Sequence, residues 1–215
     1  MQNLHIATII IIALNVLTSL KGFNDFSFFE KYKFNIAGIR RGEQIRMFTS
    51  GFLHVDFTHL LFNMLTLYFF ADVVIYNFGV SKFLIIYVLS LLVGNLLSLY
   101  LHKDEYHYSA VGASGAVMGV IYAAILLYPE GRLYLFYALP IKAWIFGLVY
   151  LLYSIYGMRK RLGNIGHDAH FGGAVAGYLL TIAFQPSILE TDLWLVAVLA
   201  APIIILLIMN KFKKI

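Results

Sequence analysis

Apolar residues run nearly unbroken along this chain, in stretches close to the roughly 20 residues that a helix needs to cross a bilayer. Seven such stretches qualify: Leu4 to Leu20, Thr58 to Phe78, Phe83 to Leu101, Ala113 to Tyr128, Leu139 to Gly157, Ala169 to Phe184 and Leu193 to Met209. Read as membrane helices, they predict an all-α polytopic membrane protein. They nearly exhaust the sequence, so no separate soluble domain, internal repeat or low-complexity segment is expected, and residues 1–215 read as a single domain. The one long connection, Lys21 to Phe57, mixes charges with Phe23, Phe26, Phe28, Phe29, Tyr32 and Phe34. That composition suits a segment lying partly in the membrane interface. Its end, Ile45 to His54, is apolar enough to dip into the membrane.

Composition agrees with this pattern. The 215 residues are 61% hydrophobic and 13% charged, against about 25% charged in soluble domains, and the mean hydropathy is +0.81. A net charge of +5 would point a soluble chain toward nucleic acid. Here the bases fall in loops between apolar runs and suit anionic lipid, so the bilayer and not nucleic acid is the expected partner. The absence of cysteine excludes disulfides, thiolate metal sites and cysteine nucleophiles. No Lys or Arg precedes the run Ile6 to Leu17 and no small-residue cleavage site follows it, so the first stretch reads as a retained span. Seven spans put residues 21–57, 101–112, 157–168 and the C-terminus on one side. That side holds thirteen of the 16 Lys and Arg residues; Lys82, Arg132 and Lys142 lie opposite. By the positive-inside rule the richer side is cytoplasmic.

The candidate chemistry gathers at span ends on that same side. Ionisable groups in hydrocarbon cost about 2.5 to 3.5 kcal/mol at mid-span, so each one is a functional candidate. In Gly112-Ala113-Ser114-Gly115-Ala116-Val117-Met118-Gly119, a single hydroxyl stands among small residues where a polar loop becomes an apolar run. It reads as a nucleophile if a base is near, or as plain helix packing. His59 and Asn63 share a helix face at i, i+4; two such donors can hold an oxyanion or form an interhelical clasp. His170, Gly173 and Gly177 also share a face, so the imidazole stands above a strip almost without side chains. Gly115 and Gly119 give the Ser114 helix a matching strip. The two helices can then meet backbone to backbone, with Ser114 and His170 at similar depth as a minimal nucleophile and base pair. A metal site from His54, His59, His167 and His170 is disfavoured, because no H-E-x-x-H occurs. Asp168, two residues before His170, points elsewhere on a helix and reads as a cap or surface charge.

These residues resemble the rhomboid family of intramembrane serine proteases. The likeness rests on Arg46 with Phe48 and Thr49, on His54, on His59 with Asn63, on Gly112-Ala113-Ser114-Gly115, and on Ala169-His170 followed by Gly173 and Gly177. It covers six spans in order and spacing. It implies a rhomboid-like bundle of six helices over about 4–185, with a seventh C-terminal helix over about 192–210. It further implies a Ser114 nucleophile, a His170 base without a third acid, and an oxyanion site from His59, Asn63 and the Ser114 N–H. Arg46, His54, Gly112, Gly115, Met118, Gly173 and Gly177 would support the site, and no cofactor or metal is expected. The implied substrates are transmembrane segments of other proteins, admitted between the second and fifth spans with Trp144 and Phe146 as gate packing. The resemblance also implies a bacterial inner-membrane protein whose site opens to the non-cytoplasmic side, against the charge bias. Three positions depart from the family pattern: Met118 replaces an aromatic that commonly stacks on the histidine, Ile45 replaces a Trp, and Ile75 stands where an acid is usual near the end of the second span. The alternative is a non-catalytic rhomboid-like protein that binds or escorts membrane clients; retention of Ser114 and His170 argues against it.

Overall fold

The computed structural model describes residues 4–135, 139–162 and 165–211. Helix α1 (Ile6–Asn24) begins where His5 accepts the Ala7 N–H through Nδ1, and it runs four residues past the expected end at Leu20. The connection that follows is folded into short elements. They are α2 (Phe26–Tyr32), β1 (Phe34–Asn35), α3 (Ile36–Arg40), α4 (Arg46–Thr49) and a 3₁₀ turn over Ser50–Phe52. Local caps account for two of these: Asp25 accepts the Phe28 N–H and Asn35 the Gly38 N–H, each at 2.9 Å. Phe34, Ile36, Ile39 and Met47 bury a small core of their own beneath the connection.

Helix α5 (Phe57–Leu101) carries two of the expected spans, interrupted at Gly79 with φ 77° and ψ 170°. A residue with a Cβ rarely adopts that conformation. Both ends of α5 meet the start of another long helix, so the chain folds back at this glycine. The strand β2 (Ser109–Ala110) pairs antiparallel with β1, tying the first connection to the loop before Ser114. Then come α6 (Ser114–Leu127), the two-stranded ribbon of β3 (Arg132–Leu135) and β4 (Leu139–Lys142), and α7 (Ala143–Lys160). The last elements are α8 (His167–Phe184), α9 (Ile188–Thr191) and α10 (Leu193–Lys211). The fifth span was expected from Leu139, but Leu139–Lys142 is strand and the helix starts at Ala143. Pro140 has no N–H to give a helix and fits a ribbon edge.

The result is an all-α polytopic bundle. Helix α6 lies at its centre: every residue from Gly115 to Leu126 is buried, against α5 on one side and α8 on the other. A helix apolar all round is a buried one. Helix α7 rests on α8, α10 and α6, and α10 on α7 and α9. By length and hydropathy α1, α5 and α10 can each cross a membrane, with mean hydropathy 1.9, 2.2 and 2.6. The 14 residues of α6 span about 21 Å, against about 30 Å of hydrocarbon. If its far end reaches one interface, Ser114 starts below the other.

Candidate active site

Ser114 is the first residue of α6, and the preceding Ala113 offers no side-chain cap. The first-turn N–H groups therefore stay available beside the hydroxyl, at the positive end of the helix dipole. Gly112 enters this turn with φ 130° and donates its N–H to the Ser50 carbonyl at 3.0 Å. A Cβ there would lie 2.7 to 2.8 Å from the His59 ring and 3.6 Å from Ser114 Oγ. The missing side chain of Gly112 thus leaves a small space between imidazole, hydroxyl and helix N-terminus.

His59 is fixed by Asp56, which caps α5 and accepts the His59 N–H at 2.7 Å. One turn on, Asn63 is buried and donates to the His59 carbonyl at 3.0 Å. An amide nitrogen carries two hydrogens, so one remains for a ligand. His54 packs edge-on to His59 at 4.9 Å. Its Nε2 accepts the Ala113 N–H at 3.4 Å, and its Nδ1 lies 2.9 Å from Ser19 Oγ. Ser19 donates in turn to the Phe52 carbonyl at 3.0 Å, so this network makes Nδ1 the protonated nitrogen of His54. Burial, helped by neighbouring His59, pushes the His54 pKa down to about 3 and keeps this loop imidazole a neutral acceptor. Arg46 ties the first connection together: Nη1 donates to the carbonyls of Glu30 at 2.7 Å and Lys33 at 3.0 Å, and Nε to the Glu43 carboxylate. That hydrogen bond holds the Glu43 carboxyl below the ordinary carboxylate range.

His170 stands in the first turn of α8 with Nε2 2.6 Å from Ser114 Oγ. Helix contact explains the approach. A Cβ on Gly173 would overlap the Gly115 carbonyl, and one on Gly177 the Gly119 carbonyl, so α6 and α8 touch backbone to backbone over two turns. The small-residue strips expected from the sequence face each other in this way.

These features coincide with a family match: the Rhomboid domain aligns with residues 41–187. The chain belongs to the rhomboid family. Similar rhomboids include RHOMBOID-like protein 12, mitochondrial, from Arabidopsis thaliana, 29% identical over 167 residues, which covers 71% of this chain and 50% of that protein. Rhomboid protein 1, mitochondrial, from Saccharomyces cerevisiae is 33% identical over 140 residues, covering 63% and 40% respectively. Rhomboid protease GluP from Bacillus subtilis is 27% identical over 145 residues, covering 67% and 27%. This rhomboid spans half or less of the length of these curated relatives. All of α1 and all of α10 lie outside the matched domain.

The rhomboid departs from the expected site in three places. Met118 is buried one turn below Ser114, and the aromatic ring beside His170 comes from α7 instead. This is Tyr150, whose Oη lies 2.6 Å from His170 Nδ1 with ring centroids 6.0 Å apart. Sequence reasoning missed it. Tyr150, Tyr153 and Tyr156 recur every third residue in an otherwise apolar run, which signals hydroxyls on the helix; helix packing decides which one meets His170. Asp168 is not a surface charge. It is 4% exposed and takes the Tyr108 hydroxyl at 3.4 Å and His102 Nε2 at 3.5 Å. Burial opposes a charged His102, but Asp168 and Glu105 outweigh it and raise its pKa. The group clamps the end of α5 to the start of α8 and leaves His170 to Tyr150. Trp144, expected at the gate, packs edge-on against Trp194 of α10 at 5.4 Å. Phe146 stacks on Tyr150 at 5.6 Å.

Proposed function

We propose that this rhomboid is an intramembrane serine endopeptidase acting on transmembrane segments of other membrane proteins. The observation that carries the reading is the 2.6 Å contact of His170 Nε2 with Ser114 Oγ at an uncapped helix N-terminus. In the proposed reaction Oγ attacks the scissile carbonyl carbon while its proton passes to Nε2. The carbonyl oxygen becomes an oxyanion in the space beside Gly112, facing the Ser114 N–H, the His59 ring and the spare hydrogen of Asn63. The C–N bond then breaks, the Nε2 proton leaves with the amine, and an acyl-serine ester remains. Water gives its proton to Nε2 and its oxygen to the acyl carbon, and the proton returns to Oγ as the acid departs.

A helical substrate has its carbonyls already hydrogen-bonded, so it must unwind before attack, and helix-breaking sequences are the preferred substrates. Access between α5 and α7 is supported by the way α7 rests on α6, α8 and α10, with apolar residues such as Phe62 and Val149 turned outward on either side. The domain is taken as residues 1–215, its six-helix core about 4–185. The Ser114 end is taken to open to the non-cytoplasmic side of a bacterial inner membrane, which a topology reporter fused after Ile215 tests. A fluorophosphonate probe tests the chemistry: it labels the wild type, and Ser114→Ala and His170→Ala lose the label. Undiminished labelling of Ser114→Ala overturns the reading. Absent labelling together with retained client binding supports the escort alternative.

A further inference from the structure

Resting on the reading of Ser114 and His170 as nucleophile and base, we propose that Tyr150 is the positioning residue of the site. Its hydroxyl oxygen accepts the His170 Nδ1 hydrogen and so keeps the Nε2 lone pair on Ser114.

Both ring nitrogens of His170 are engaged at 2.6 Å, Nε2 by Ser114 Oγ and Nδ1 by Tyr150 Oη. A neutral imidazole has one N–H and one lone pair. If Nε2 is to take the serine proton, Nδ1 must carry the hydrogen, and its partner must accept. Oη does so. The nearest acid in sequence, Asp168, is directed to His102 and Tyr108 instead. When His170 becomes an imidazolium, both of its nitrogens are donors: Nε2–H serves the leaving amine and Nδ1–H keeps Oη. Without Oη, a partly buried N–H loses its partner just as the ring acquires charge.

The phenol is held where this requires. Phe146 stacks against its ring one turn earlier. Three residues before it, Gly147 brings α7 onto α6: the Tyr122 hydroxyl donates to the Gly147 carbonyl, and a Cβ on Gly147 would stand 2.9 Å from Ile125. Tyr122 and Ile125 belong to the helix that begins with Ser114. One rigid connection therefore runs from the nucleophile's helix, through α7, to the far side of the base. Met118 has no hydroxyl and cannot take this part.

The test uses the full chain purified in detergent with a cleavable transmembrane reporter. Tyr150→Phe keeps the ring and removes Oη; kcat falls roughly tenfold with KM unchanged, and the thermal midpoint stays within a degree or two. Incorporating 3-fluorotyrosine and then 3,5-difluorotyrosine at position 150 weakens the acceptor in steps, and kcat falls in the same order; a role in packing alone does not follow that order. In ¹⁵N-histidine spectra, His170 Nδ1 shows the protonated, pyrrole-type shift in the wild type and loses it in part in Tyr150→Phe. Wild-type kcat in Tyr150→Phe, a kcat that rises with fluorination, or a pyridine-type Nδ1 in the wild type overturns the proposal. Ser114→Ala separates the two claims. If it cleaves, the protease reading fails, and the ¹⁵N spectra still judge Tyr150. If it is inert while Tyr150→Phe is fully active, only the role of Tyr150 fails.

Discussion

Replacing Gly173 by alanine adds one methyl group at the point where α6 and α8 meet. The new Cβ would fall deep inside contact distance of the Gly115 carbonyl oxygen, 2.7 Å from its carbon and 3.0 Å from the Gly115 Cα. Ordinary carbon to oxygen contacts are about 3.3 Å or more. All three atoms are backbone, so no side chain can rotate away, and the helices must separate by about 1 Å. Such overpacking costs about 1 to 3 kcal/mol of stability, or a fall of roughly 5 °C in the thermal midpoint for a chain of this size. The effect on the site is larger. Gly173 lies one turn from His170, and a shift of that size takes Nε2 out of hydrogen-bond range of Ser114 Oγ, now 2.6 Å away. A displacement of 1 Å typically lowers the rate by about a hundredfold. The matched control is Gly115→Ala, whose Cβ would meet the Ala169 carbonyl oxygen at 3.2 Å, a tight but tolerable contact. Cleavage of a transmembrane reporter and thermal unfolding in detergent are measured for both. Wild-type cleavage in Gly173→Ala, or an equal loss in the two variants, would refute the backbone contact as the reason for the glycines.

Three further outcomes follow from the same geometry. Asn63→Ala removes one of the proposed oxyanion donors and lowers kcat by about a hundredfold, equivalent to about 2.7 kcal/mol, with little change in the thermal midpoint; an unchanged kcat places the oxyanion elsewhere. Arg46→Ala leaves the Glu30 and Lys33 carbonyls without their donor and lowers stability by about 2 kcal/mol; Arg46→Lys restores only part, because one ammonium cannot reproduce the fork. His54 has a folded-state pKa near 3 against 6.5 for the free side chain, so the unfolded chain takes up the proton first. Its contribution to stability is complete above about pH 6.5 and is lost as pH falls toward 3. His54→Gln therefore flattens the acid side of the thermal midpoint plotted against pH, and an unchanged slope contradicts the buried neutral imidazole.

Much of this architecture is legible from hydropathy, because bilayer length imposes its own period on the chain. The seven apolar stretches correspond to α1, the two halves of α5, and α6, α7, α8 and α10. The glycine strips also read correctly: Gly115, Gly119, Gly173 and Gly177 lie at helical spacing, and backbone contact is the physical use of bare helix faces. Pairing between distant segments escaped notice. Residues 34–35 and 109–110 form a ribbon too short to show alternation, and Leu139–Lys142 looks like the start of a span until its partner strand is seen. Helix phase was equally hidden. Nothing in one sequence says that Tyr150, and not Tyr153 or Tyr156, faces His170, or that Asp168 turns inward to His102.

The protease reading is tested most directly by incubating the purified chain with a reporter transmembrane segment, beside Ser114→Ala at equal concentration and equal thermal stability. Cleavage by the wild type and none by Ser114→Ala is the result expected here. Equal cleavage by both, or none by the wild type on any helix-breaking segment offered, contradicts it.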